Sequence, residues 1–194
     1  MRSNVQDSIP MRWGRAHEAN PLLTLLEPGS RSSIAIIKDL AAIKLRECSL
    51  VMVDVAKLPP SVTRGPSQQQ LASLPPMGAS PDAMLVGRDA NGDEVFMPVE
   101  CKAPCPFQHS NGAGEATWMY VPNTSSWSTI PAHYYAQCQM TMLATGCDSM
   151  LLMRYLPEIT TAYQVLRRCA TMPGLMRYWS GWWPSTISQS RRRR

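Results

Sequence analysis

The chain has 194 residues, of which 44% are hydrophobic, enough to form the core of one ordinary domain. No apolar run approaches the roughly 20 residues needed to cross a bilayer, and no secretory signal opens the chain, so we expect an intracellular protein, cytoplasmic or nuclear. The formal net charge is +5, but four of the positive charges are the arginines at 191–194, so an anionic partner such as nucleic acid is favoured only modestly.

The first third of the chain predicts a helix, a strand and a long loop. Apolar spacing predicts a helix from Arg12 to Glu27 that Pro21 kinks or divides. Residues 32–46 are weakly periodic and compatible with helix, whereas the β-rich run 49–55 is predicted to be a strand. Residues 57–79 are rich in Pro, Ser and Gln and are predicted to be a surface loop insertion.

A β-hairpin is predicted in the middle of the chain, with strands over 80–87 and 95–102. The intervening Asn91-Gly92 is a strong hairpin signal because both residues tolerate positive φ. The two strands should therefore pair antiparallel. The segment 103–129 that follows mixes Pro, Gly, Asn and Ser with aromatics, and is interpreted as a loop that contacts substrate.

The last third predicts a helix over 132–145 closed by a left-handed Gly146, then strands over 149–155 and 161–167. A helix-like, tryptophan-rich tail follows at 169–183. The element order indicates an α/β or α+β domain with a central mixed sheet flanked by helices. We expect three parts: a flexible lead-in at 1–10, a single domain at 11–184 and a disordered basic tail at 185–194.

The hairpin also carries the residues best suited to chemistry. Side chains alternate along a strand, so Glu100 and Lys102 share one face, and pairing brings Asp82 beside Glu100. Two carboxylates and an ammonium group suit a divalent cation and an activated water. Glu18 could add a third carboxylate for a second metal, and the main-chain carbonyl of Cys101 could complete the set.

Four motifs in this order resemble the PD-(D/E)xK nucleases, and most closely the phage lambda-type exonucleases, also called the YqaJ viral recombinase family. The motifs are Gly-Arg-Ala-His-Glu at 14–18, Ala-Ser-Pro-Asp-Ala-Met-Leu at 79–85, Val-Glu-Cys-Lys-Ala-Pro at 99–104 and Tyr-Tyr-Ala-Gln-Cys-Gln-Met at 134–140. The resemblance implies a restriction-endonuclease-like fold. It also implies DNA cleavage dependent on Mg²⁺ (or Mn²⁺), exonucleolytic from a duplex end, in recombination or repair.

The resemblance also assigns roles to residues. Asp82 and Glu100 would bind metal, Lys102 would position or activate water, Glu18 would bind a second metal, and Gln137 would face the site from its helix.

Two further residues are expected to bind substrate. Tyr134 lies one turn before Gln137, and Arg15 is a candidate phosphate contact, with a surface salt bridge as its alternative. Gln139 lies about 200° around the helix from Gln137, so both cannot reach one metal centre.

Two alternatives remain open from the sequence. One is a catalytically inactive nuclease-fold module that binds nucleic acid or a partner protein. The other keeps the enzyme but makes it an endonuclease or nickase. The expected partner is DNA, in particular duplex ends, and a homo-oligomer or a single-strand annealing partner is compatible with the resemblance.

Overall fold

The computed structural model describes residues 8–27, 34, 36–58, 75–110, 117–121, 130–156 and 159–167. The helices are α1 (Ile9–His17), α2 (Ala19–Leu26) and α3 (Ala132–Thr145), with a short 3-10 helix at Val55–Lys57. The strands are β1 (Ala41–Arg46), β2 (Val51–Met52), β3 (Gly78–Ala79), β4 (Ala83–Arg88), β5 (Glu94–Lys102), β6 (Phe107–Ser110), β7 (Thr117–Tyr120), β8 (Ser149–Leu156) and β9 (Ile159–Arg167).

A five-stranded mixed sheet in the order β1-β4-β5-β8-β9 forms the centre of the fold. All neighbouring strands run antiparallel except β5 and β8, which are parallel and are connected through α3. A parallel pair needs such a crossover, because a tight turn cannot return the chain to the same end of the sheet. The predicted class, a mixed sheet flanked by helices, is confirmed.

The β4–β5 hairpin has the predicted Asn-Gly turn. Gly92 has φ +87°, and the Asp89 carboxylate accepts hydrogen bonds from the backbone N–H groups of Asn91 and Asp93 at 2.9 and 3.0 Å. Pro98 lies inside β5, and the parallel pairing with β8 begins only at Val99. A residue without an N–H is tolerated there because no ladder bond has yet begun on that side.

The two faces of the sheet have separate apolar cores. One core packs beneath α2 and consists of Leu25, Ile34, Ile37, Ala83, Leu85, Met97, Val99, Cys101, Leu151 and Met153. The other packs beneath α3 and consists of Cys138, Met142, Met150 and Leu152. Alternate residues of β8 contribute to opposite cores, as the two-residue period of a strand requires. Glu100 pairs with Leu152 and therefore faces α3.

One prediction for the first third was confirmed and one was wrong. The helix over 12–27 is divided, as predicted, and the break lies at Glu18 because Pro21 is accommodated only in the first turn of a new helix, α2. The stretch interpreted as helix at 32–46 ends in β1, whose partly buried Ile43 and Leu45 pack against the core beneath α2. Pairing with β4 therefore overrides the helical preference of its Ala, Leu and Lys residues.

Other elements differ in extent. The strand predicted at 49–55 is only the two-residue β2, which pairs with β3. The segment interpreted as a loop at 103–129 contains β6 and β7, which pair antiparallel. The helix at 132–145, its left-handed Gly146 and the last two strands are confirmed.

Several predictions fall outside the described residues. These are residues 1–7 of the lead-in, 59–74 of the insertion, and both tail segments, 169–183 and 185–194. The proposed domain boundaries therefore stay predictions. In the part of the chain that is described, no helix is both long and apolar enough to span a membrane.

Candidate active site

The hairpin places Asp82 directly before β4. Because Ala83 pairs with Val99, continuing the same register brings Asp82 opposite Glu100, as the sequence predicts. The Asp82 Oδ2 accepts a 2.6 Å hydrogen bond from the backbone N–H of Cys101. The carboxylate is thus anchored to the end of β5 through one of its oxygens.

The main-chain carbonyl of Cys101, a predicted metal ligand, lies beside this hydrogen bond. The same register sets Pro81 opposite Cys101, and proline has no N–H to donate to that carbonyl. In an antiparallel pair the N–H and C=O of one residue face the same neighbouring strand, so the carbonyl faces the Asp82 side. The Cys101 thiol instead packs in the core beneath α2, where burial raises its pKa.

Glu100 is the most deeply buried acid of the site, with only 3% of its surface exposed. Its Oε1 accepts two hydrogen bonds of 2.6 Å, from Lys102 Nζ and Gln137 Nε2. Its Oε2 is buried and has no hydrogen-bond partner. Burial and the negative charge of Asp82 raise the pKa of Glu100, against the opposing effect of Lys102 and Gln137.

Lys102 lies between an acid and an aromatic ring. Its Nζ is 2.6 Å from Glu100 and 5.1 Å from the centroid of the Tyr134 ring, within cation–π range. Burial alone would lower the pKa of Lys102, but the hydrogen bond and charge of Glu100, together with Asp82, raise it. Lys102 is therefore a cation at neutral pH, suited to positioning and charge stabilisation rather than to removing a proton.

Glu18 enters the site from the bend between α1 and α2. Burial and the neighbouring Asp82 carboxylate raise its pKa, while Lys102 lowers it. The bend is marked by Glu18 itself, which ends α1 and begins α2. The carboxylates of Glu18 and Asp82 thus repel each other, and a cation between them would relieve that repulsion.

A cavity of about 370 Å³ connects these groups. It is lined by Met11, Gly14, Arg15, Glu18, Asp82, Glu100, Cys101, Lys102, Ala103, Pro104 and Tyr134. The α1 residues in this set follow the helical period, so a single face of α1 forms one wall. Of the residues singled out in the sequence, all line the cavity except Gln137, which contacts Glu100 from α3.

The donor set fits one hard cation that keeps much of its water. Among the described residues, no group of three or more His, Cys, Asp and Glu side chains could by itself hold a metal ion. Mg²⁺ needs only one or two protein carboxylates, because it retains several waters. The buried, unpartnered Oε2 of Glu100 beside the Asp82 charge meets that requirement.

Arg154 lies beside the site but belongs to none of the four sequence motifs. This residue lies on β8 opposite Lys102 and is only 2% exposed. Burial lowers its pKa, and the nearby Tyr134 has the opposite effect. The signal was present, since Arg154 is the single charged residue in the otherwise apolar β8 run Met150–Leu156.

Residues 57–148 match the sequence model of a family described as the YqaJ-like viral recombinase domain, which confirms the resemblance over that segment. No curated protein matches the chain in sequence. Among solved structures, the chain is similar to LHK-Exo in complex with dAMP, with 16% identity, a TM-score of 0.48 and coverage of 90% of this chain and 67% of that one. It is also similar to SSO0001, with 12% identity, a TM-score of 0.36 and coverage of 86% and 68%.

Proposed function

We propose, on the premise that residues 57–148 resemble a YqaJ-like viral recombinase domain, that this protein is a metal-dependent DNA nuclease. It would hydrolyse phosphodiesters with Mg²⁺ (or Mn²⁺) and act as an exonuclease on double-stranded DNA ends, in recombination or repair. One observation carries the proposal. The buried Glu100 is fixed through one oxygen by Lys102 and Gln137, and its other oxygen has no hydrogen-bond partner.

The residues divide the work of holding a cation and holding the substrate. Asp82, Glu100 and the Cys101 carbonyl would hold the ion, with Glu18 able to bind a second one. A bound Mg²⁺ supplies an activated water and neutralises charge on the transferring phosphate. Gln137 keeps the Glu100 carboxylate in one orientation by donating to Oε1.

Lys102 would act as a fixed positive charge. Its ammonium group, protonated because Glu100 and Asp82 raise its pKa, can donate to the attacking water or to a phosphate oxygen. Tyr134 limits where that ammonium group can move, because its ring lies 5.1 Å away. Arg15 lies on the α1 wall of the same cavity, where a phosphate of the bound strand would meet a second cation.

The test uses end-labelled linear duplex, closed circular DNA and nicked circular DNA, each with Mg²⁺, Mn²⁺ or EDTA. We expect degradation of the linear duplex with either metal, none with EDTA, and intact closed circles. A Lys102→Ala variant should lose activity by about 10²- to 10³-fold. A matched Lys44→Ala variant, at an exposed position on β1, should retain it.

Four results would contradict parts of the proposal. The enzymatic claim fails if wild type cleaves none of the substrates, or if Lys102→Ala cleaves as fast as wild type. Conversion of closed circles to linear DNA would exclude dependence on an end and favour an endonuclease, and conversion to nicked circles would favour a nickase. Cleavage that persists in EDTA would exclude the metal.

A further inference from the structure

The β6–β7 ribbon begins directly beside the candidate site. Ala103 and Pro104 line the cavity, and β6 begins three residues later at Phe107. The register pairs Phe107 with Tyr120 and His109 with Trp118. Residues directly opposite each other in an antiparallel pair project to the same face, so these four rings lie on one face of the ribbon. We refer to Phe107, His109, Trp118 and Tyr120 as the ribbon face.

The rings of the ribbon face form two edge-to-face pairs. The Phe107 and Tyr120 centroids are 5.8 Å apart, and the His109 and Trp118 centroids are 5.4 Å apart. Alternate residues of a strand are about 6.8 Å apart, roughly twice the ~3.4 Å spacing of stacked bases in one nucleic-acid strand. The two ring pairs therefore repeat along the ribbon at about the spacing of every second base in a stacked strand.

The ribbon face is continuous with the helix that forms the cavity wall. The ring centroids of Phe107 and Trp13, a residue of α1, are 5.6 Å apart, and those of Trp13 and His17, one turn later, are 4.1 Å apart. Gly14, Arg15 and Glu18 lie on the neighbouring face of the same helix and line the cavity. A strand leaving the cavity past Arg15 would thus meet aromatic rings next.

The outer members of the ribbon face are well exposed. Trp118 is 41% exposed and Tyr120 is 43% exposed, so packing within the domain accounts for only part of their surface. The ribbon face also carries polar atoms, in the hydroxyl group of Tyr120 and the imidazole ring of His109. An aromatic, partly polar surface beside a cavity that contains Arg15 and Lys102 is suited to bases and phosphates, whereas a protein-binding core would be more uniformly apolar.

We infer that the ribbon face binds unpaired nucleobases of the DNA strand that enters the cavity, by stacking them on Trp118 and Tyr120. This inference rests on the proposed function for the identity of the strand, but its binding step needs no cleavage. Stacking does not distinguish between bases, so the surface would act on any sequence.

The test measures binding of fluorescent single-stranded and blunt duplex oligonucleotides by anisotropy in EDTA, where cleavage does not contribute. Trp118→Ala should raise the Kd for the single strand by about 5- to 100-fold, the loss expected for removing one stacked base. Trp118→Phe should restore most of the affinity. Met119→Ala is the matched control, because Met119 is 53% exposed on the opposite face of the same ribbon, and its Kd should equal that of wild type.

A second arm leaves the protein unchanged and removes the bases. A single strand with consecutive abasic sites should bind wild type at least as weakly as the intact strand binds Trp118→Ala, because it loses stacking on both Trp118 and Tyr120. Equal affinity for abasic and intact strands would overturn the inference, even if Trp118→Ala failed to fold. Equal losses for Trp118→Ala and Met119→Ala, or a loss confined to duplex DNA, would also overturn it.

The outcome can be separated from that of the proposed function. If the protein cleaves no DNA but binds single strands through Trp118, the inference about the ribbon face is supported and the nuclease proposal is contradicted. If it degrades linear DNA while Trp118→Ala binds single strands like wild type, the nuclease proposal is supported and the inference about the ribbon face is contradicted.

Discussion

Gln137 Nε2 lies 2.6 Å from Glu100 Oε1, so a side chain of α3 determines how an acid of β5 presents itself to the cavity. The neighbouring Lys102 donates to the same oxygen at the same distance. Two donors on Oε1 direct Oε2 away from them, and Oε2 is the oxygen without a hydrogen-bond partner. The orientation of this carboxylate therefore depends on two elements that are far apart in sequence.

Gln137→Ala should lower nuclease activity more than it lowers stability. The substitution removes one donor from Glu100 but leaves Lys102 in place, so we expect a fall in kcat of about 10-fold, the equivalent of one hydrogen bond of ~1.4 kcal/mol. Stability should change little, because Gln137 is exposed on α3. The measurement is kcat on linear duplex together with urea unfolding of the same preparation.

Gln139→Ala provides the matched comparison two residues along the same helix. Gln139 is fully buried at 0% exposure, so its removal should destabilise the fold by about 1–3 kcal/mol. The surviving folded protein should retain its kcat. Loss of kcat from Gln139→Ala with unchanged stability, or the reverse pattern for Gln137→Ala, would show that the roles are assigned wrongly.

Metal binding should require both hairpin acids. In wild type, saturating Mn²⁺ or Mg²⁺ should raise the thermal midpoint, because a ligand that binds only the folded state stabilises it. Asp82→Asn and Glu100→Gln should each abolish most of that rise, since each removes a charged oxygen from the site. Calorimetric titration with Mn²⁺ measures the affinity directly, and Asp54→Asn, at an exposed position beside the 3-10 helix, is the control. A rise that persists in both site variants would place the metal elsewhere.

The hairpin and its acids were predictable because they depend on local signals. Asn91-Gly92 fixes the turn, the turn fixes the register, and the register brings Asp82 beside Glu100. The helix at 132–145 was equally clear, since its apolar pattern ends at a glycine with φ +72°. In these segments, the structure that the local sequence favours is also the one that the tertiary fold requires.

The elements that were missed depend on partners far away in sequence. β1 forms because β4 offers a free edge, and nothing within its Ala-Ala-Ile-Lys-Leu-Arg run specifies that partner. The position of Arg154 depends on the parallel pairing of β8 with β5, which sets it opposite Lys102. The ribbon face likewise follows from the pairing of β6 with β7 rather than from the spacing of aromatic residues within either strand.

The metal-free protein should lose stability as the pH rises above the usual carboxylate range. Burial and the Asp82 charge raise the pKa of both Glu18 and Glu100 above the ordinary value of 4.5. A carboxyl whose pKa is higher in the folded than in the unfolded protein contributes stability below its unfolded pKa, and this contribution is lost as the pH rises through the folded pKa. Thermal midpoints in EDTA, measured at a series of pH values from 4.5 upwards, test this loss of stability.

Glu100→Gln isolates the contribution of the buried acid to that trend. The variant should be more stable than wild type in EDTA at neutral pH, and the difference should shrink as the pH falls towards 4.5. Other carboxylates titrate in both proteins and cancel in the comparison. A difference in stability that does not change with pH would mean that folding does not raise the pKa of Glu100.

Two glycines should respond to alanine in opposite directions. Gly92 has φ +87°, a conformation that strains any residue with a Cβ, so Gly92→Ala should destabilise the protein by about 1 kcal/mol. Gly14 lies inside α1, and a Cβ added there would meet no atom within 4 Å. Gly14→Ala should therefore stabilise the protein by up to about 1 kcal/mol, the difference in helix propensity.

Urea unfolding of both variants tests the pair, and activity distinguishes their consequences. The turn at Gly92 sets the register that brings Asp82 to Glu100, so a strained turn that shifted the register would abolish metal binding as well as lower stability. A turn that only stores strain would leave metal affinity unchanged in the folded fraction. Destabilisation by Gly14→Ala would show that the α1 wall needs more room than its open surroundings indicate.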